Sequence, residues 1–231
     1  VGPPLGAVAG VVVAVAGGLD RQHLPQRDLV LRGRDVVVVT LGGVVGYAAI
    51  TVASLMLAVP VLVATGGLTD MQTTVIGSVG NGLGLVAVTL LVLSTADRDR
   101  SFLDLRWPTR RDVAWMLGGS LLLLGSLYGL SALFAEFGIQ SAEHGLAEQA
   151  REGDAAILLA LVPLSYLFVG PGEELFFRNL VQKYLYERFS RPAAILVASS
   201  VFAAVHFSAY SGRFTLATVT SLTVVFLLAL G

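Results

Sequence analysis

Cysteine is absent from the 231 residues. Its absence excludes disulfides, thiolate metal sites and cysteine nucleophiles together. Charge is scarce as well: Asp, Glu, Lys and Arg make up 13% of the chain, against roughly 25% in an average soluble domain. Neither sign dominates, and a net charge of −1 gives no basis for nucleic acid as a partner. Hydrophobic residues fill the space, at 55% with a mean hydropathy of +0.79. The composition is that of a polytopic integral membrane protein whose first partner is the lipid bilayer.

A helix needs about 20 apolar residues to cross the hydrocarbon. Six to seven stretches qualify, at 5–18, 36–65, 74–94, 113–134, 155–172, 193–210 and 215–231. The expected fold is therefore all-α, a polytopic transmembrane helical bundle. The first stretch is short. The second is long for one crossing, which implies tilt or an interfacial end after Pro60. Residue 1 is Val and the last residues break off within an apolar run, so the chain reads as a fragment cut at both ends.

The connections sort by charge. Thirteen of the fifteen basic residues fall in the first, third and fifth, with Arg21, Arg27, Arg32 and Arg34, then Arg98, Arg100, Arg106, Arg110 and Arg111, then Arg178, Lys183, Arg188 and Arg191. The alternate connections hold only Arg151 and Arg213, and 135–154 is acidic. By the positive-inside rule the odd connections face the cytoplasm of a cell membrane. The same alternation puts the segment around Arg178 toward that side.

Within the spans, Gly42 and Gly46, and Gly80, Gly82 and Gly84, read as close helix packing. A phosphate loop would need a preceding strand and a following Lys-Ser/Thr. Asn81 reads as an interhelical hydrogen bond, and His144, flanked by acids, as part of a solvated turn.

Charge is least expected in Gly170-Pro171-Gly172-Glu173-Glu174-Leu175-Phe176-Phe177-Arg178. Ionisable groups at membrane depth face a cavity, pair with one another or carry chemistry. Pro171 is expected to interrupt the helix arriving from Ala155, leaving both carboxylates in the first turn of a renewed helix, where the macrodipole favours anions. Glu174 and Arg178 are then i,i+4 neighbours in the favourable order. Glu173 projects about 100° away and remains the unpaired acid. If the chain reverses at Ser190-Arg191-Pro192, antiparallel pairing sets Glu174 opposite His206 and Arg178 opposite Phe202, within about a turn. A carboxylate beside such a histidine is suited to take a proton from water. The spacing equally admits an interfacial Glu174–Arg178 ion pair beside a histidine bonded to a backbone carbonyl.

Glu173-Glu174-x-x-x-Arg178 followed by Phe202-x-x-x-His206 resembles the first two motifs of the CPBP family of intramembrane proteases. That family includes the type II CAAX prenyl proteases and the Abi group of bacteriocin-immunity and bacteriocin-processing relatives. The similarity is dense over about 155–231 and weak before it. It suggests N-terminal helices over 1–112 and a protease-like core over 113–231.

The resemblance implies hydrolysis of a peptide bond in a membrane-associated peptide or protein, prenylated in some relatives. Carried over, Glu173 is the base that activates water, His206 assists it, and Glu174 and Arg178 organise the site. The family is often classed as metalloendopeptidase. Glu173, Glu174 and His206 would be the ligands if a divalent metal such as zinc were used, though nothing in the sequence requires a cofactor. Two departures stand out. No His-x-x-x-Asn motif follows His206, and Asn179 replaces a Gly expected after the arginine. The rival reading is a non-catalytic membrane protein of the same fold, an immunity factor or peptide-binding scaffold. A transporter lacks support because no inverted repeat is detectable. Gly-x-Ser-x-Gly and His-Glu-x-x-His motifs are absent too.

Overall fold

The computed structural model describes residues 26–96, 99–138, 155–210 and 215–230. The apolar stretch 5–18 and the acidic segment around His144 lie outside them. Among the described residues there are six helices and no strand. They are α1 (Gln26–Thr65), α2 (Asp70–Thr95), α3 (Arg110–Glu136), α4 (155–185), α5 (Arg191–Val205) and α6 (Leu216–Ala229). The first five supply stretches long and apolar enough to span a membrane, and α6 is a shorter apolar helix.

Local sequence explains the ends. The side chain of Thr69 accepts from the Gln72 N–H while Gln72 Oε1 accepts from the Thr69 N–H, and Thr109 and Asp112 repeat this reciprocal cap at α3. Such boxes satisfy backbone donors that a helix start leaves unpaired. At the end of α1 the chain leaves through Gly66 at φ 74°, a left-handed geometry that glycine adopts without a Cβ penalty. Pro60 does not end α1, which runs on to Thr65. At about 1.5 Å per residue α1 is roughly twice as long as the hydrocarbon is thick, a length that tilt or an end lying in the interface would accommodate.

The expected break at Pro171 is also absent. Val169, Gly170, Glu173 and Glu174 are all right-handed helical. Helix α4 instead passes through a π-helical stretch Ser165–Val169, an α turn Gly170–Glu173, a second π stretch Glu174–Val181 and a last turn Gln182–Leu185. The Gly170 N–H bonds to Ser165 O, five residues back. This wider turn moves carbonyls out of the path of the pyrrolidine ring, so the proline that would break a regular helix is absorbed. Glu173 and Glu174 therefore lie in the interior of a helix, and the proposed help from a helix N-terminus does not apply.

Helices α1, α2, α4 and α5 share one apolar core, built on Leu85, Phe176, Leu185 and Val197. Helix association in lipid depends on close packing more than on apolar burial, and glycine provides it. A Cβ on Gly80 or Gly84 would collide with the α1 backbone at Ser54 or Ile50. One on Gly82 would stand 2.6 Å from Phe168 O in α4. Helix α3 differs: it has no buried residue and is tied to α4 by the Tyr166 hydroxyl, 2.7 Å from Ser120 Oγ.

Candidate active site

The α4–α5 hairpin sets the register. Helix α4 ends at Leu185 and α5 begins at Arg191 with Pro192 in its first turn. The two helices then run back along each other, bringing the rings of Phe177 and Phe202 edge to face at 5.0 Å. One turn further from the reversal Glu173 meets His206, and the two groups interact electrostatically. The pairing lies one residue from the expected partnership of Glu174 with His206. A rise of about 1.5 Å per residue along α5 puts His206 some 22 Å from Arg191, deep within the bundle, and Glu173 lies at its level.

The orientation of His206 follows from how α5 ends. Its backbone N–H turns to Ala203 O, so Phe202 O, the acceptor four residues back in a regular helix, is left without it. The imidazole takes that place, with Nδ1 2.8 Å from Phe202 O. A carbonyl can only accept, so Nδ1 carries the proton and Nε2 is the lone-pair nitrogen of the neutral ring. The Phe-x-x-x-His spacing thus fixes the tautomer, and the Phe202 ring, 4.4 Å from the imidazole centroid, fixes its plane.

The two acids have different surroundings. Glu174 sits beside Arg178, with Nε to Oε1 at 3.7 Å, and its side chain is 67% exposed. Glu173 points into the bundle, where the Asn81 amide of α2 donates to its carboxylate. The other end of Asn81, Oδ1, is buried without a hydrogen-bond partner.

Two cavities flank this centre. One, about 370 Å³, is lined by Glu173, Glu174, Arg178, Phe202, His206 and Tyr210, and reaches Leu123 of α3 and Leu228 of α6. The other, about 390 Å³, lies on the α1–α2 side and contains Asn81 and Ser78. Glu173 and His206 line both.

The structure thus gathers all four candidate residues, Glu173, Glu174, Arg178 and His206, around one cavity. It does not gather a metal-ligand trio: among the described residues no three His, Asp or Glu side chains are placed to hold an ion. Glu174 leans to Arg178 and Glu173 is engaged by Asn81, so the zinc set Glu173, Glu174 and His206 does not fit this geometry.

Asn81 is a site residue that the sequence alone reads only as an interhelical hydrogen bond. It does form the expected interhelical bond, but with Glu173. Its flanking glycines were the available signal, because Gly82 lets α2 approach Phe168 and Gly172 closely enough for an amide to reach across.

No curated protein and no solved structure matches the chain. A family model, described as Type II CAAX prenyl endopeptidase Rce1-like, matches residues 155–231. The match spans α4, α5 and α6 and includes every candidate residue except Asn81. Residues 155–231 are thus similar to the Rce1-like family of type II CAAX prenyl endopeptidases, in keeping with the resemblance of their two motifs to the CPBP proteases.

Proposed function

We propose that the protein is an intramembrane endopeptidase in which Glu173 activates water for attack on a peptide carbonyl. The carrying observation is the meeting of Glu173 and His206 at the wall of a cavity deep in an apolar bundle. Glu173 takes a proton from water as the water oxygen bonds to the carbonyl carbon. His206, its tautomer set by Phe202 O, assists through Nε2. The proton then passes to the leaving amine as the C–N bond breaks. Arg178 holds Glu174 at the cavity mouth, where the pair orients the substrate backbone. None of these steps is routed through a metal.

The substrate is a membrane-associated peptide or protein. The family description, a CAAX prenyl endopeptidase, makes a prenylated C-terminal peptide the first candidate, with the active-site segment reached from the cytoplasmic side. The test uses protein reconstituted in liposomes and a farnesylated, internally quenched peptide. Glu173→Gln and His206→Ala should each lower kcat by about 10² to 10⁴, the usual worth of a general base, while the variants remain monodisperse and folded. Normal turnover in both would sink the mechanism. Peptide binding without cleavage in the unaltered protein would favour a scaffold of the same fold.

A further inference from the structure

Apart from Glu173 and His206, the lining of the second cavity is left unused by the proposed chemistry, and its polar groups are ordered along one face of α2. Thr73, Thr74, Ser78 and Asn81 line it from that helix, with Tyr47 of α1 and Ser208 beyond α5 opposite. Thr73 and Asn81 are eight residues apart, so the strip extends about 12 Å. It begins three residues inside the start of α2, at the end of the bundle occupied by the α1–α2 connection, and it finishes at Glu173. Both threonine hydroxyls donate into their own helix, Thr73 Oγ1 to Thr69 O at 3.0 Å and Thr74 Oγ1 to Asp70 O at 2.9 Å. The Thr73 oxygen thus presents acceptor lone pairs, which water can fill.

We propose that this cavity is a water channel that supplies Glu173 from the α1–α2 end of the bundle, with Asn81 as the positioning residue at its floor. Hydrolysis consumes one water per bond, and Glu173 lies where bulk solvent does not reach through lipid. The cavity has the size for several waters, and although most of its wall is apolar, the strip from Thr73 to Asn81 gives it polar groups along one side. Asn81 donates through its amide nitrogen to Glu173, and its Oδ1 is buried without a protein partner at the inner end of the strip. The peptide occupies the cavity on the Phe202 side, so nucleophile and substrate reach Glu173 from opposite directions. The inference rests on Glu173 being the base.

The test exploits a chain that is naturally free of cysteine. Single variants Ser78→Cys, in the channel, and Leu83→Cys, on the outer surface of α2, are reconstituted in liposomes and treated with a membrane-impermeant maleimide. Thiolates react and form only where water reaches, so Ser78→Cys should be labelled roughly tenfold faster than Leu83→Cys. Equal, slow labelling overturns the channel. Asn81→Ala should lower kcat for the farnesylated peptide by about tenfold or more, the worth of one charged hydrogen bond, with KM unchanged. Unaltered kcat, or a change in KM alone, removes Asn81 from its role. If Glu173→Gln retained full turnover while Ser78→Cys was still labelled, the catalytic reading would fall and the channel would stand, so the two failures are separable.

Discussion

Asp35 is 2% exposed, and its two oxygens are divided among three donors. Arg34 Nη2 lies 3.2 Å from Oδ1, the Tyr184 hydroxyl 3.0 Å from Oδ1, and Arg188 Nε 2.8 Å from Oδ2. Tyr184 comes from the end of α4 and Arg188 from the turn that follows it, so this one carboxylate fastens α1 to the hairpin that carries Glu173. Asp35→Ala should cost about 2 kcal/mol, since it strips a charged acceptor from two arginines that still reach solvent. Thermal unfolding in detergent would register the loss, and an unchanged midpoint would refute it. The sequence did not disclose this role, because Asp35 stands just outside the apolar stretch that begins at residue 36. Asn81 differs: it stands out as a lone polar group within a span, but its sequence neighbours do not name its partner. Glu173, Glu174, Arg178 and His206 were legible because they are chemically out of place in their own segments, whereas Asn81 acquires its meaning only from what α4 sets beside it.

At the scale of elements, the hairpin register was readable and the course of α4 was not. Equal rise along two antiparallel helices predicts the level of Glu173 and His206 to within a residue, since a proline at a helix start marks the turn. The π-helical stretches escape such reasoning. Pro171 alone reads as a break, and only a wider preceding turn, with Gly170 bonded back to Ser165, lets the helix continue. Gly172 then meets α2 directly: a Cβ there would lie 2.9 Å from Gly82 Cα. Backbone cannot yield as a flexible side chain does, so Gly172→Ala should cost about 1–3 kcal/mol. It should also reduce turnover, because the α2–α4 separation sets the reach of Asn81 to Glu173. Gly125→Ala in α3, where a Cβ meets nothing within 4 Å, should leave stability unchanged or slightly raised. Equal effects of the two substitutions on unfolding temperature would discount the close crossing.

Across the whole molecule, the residues that the charge pattern assigns to one side do meet on one face. Arg188 reaches Asp35 near the start of α1, and the cation of Arg32 lies 5.2 Å from the Phe189 ring centroid. Lys183 bonds to Phe102 O at 2.7 Å and to the Asp104 carboxylate in the connection between α2 and α3. The first, third and fifth basic connections thus share a layer, while the α1–α2 connection with Gly66 and Gly67 closes the opposite end. Positive charge is retained on the cytoplasmic side of a membrane, so the two layers should differ in access. Trp107, 93% exposed in the basic layer, and Gly67, with open space around a Cβ, are suitable probes in a cysteine-free chain. An impermeant maleimide added to intact cells should label Gly67→Cys and spare Trp107→Cys until the membrane is permeabilised. The reverse pattern would invert the protein in the membrane and move the mouth of the proposed water channel to the cytoplasmic side. Labelling of both residues in intact cells would mean that the two connections do not lie on opposite sides, and the bundle would then need a different path through the bilayer.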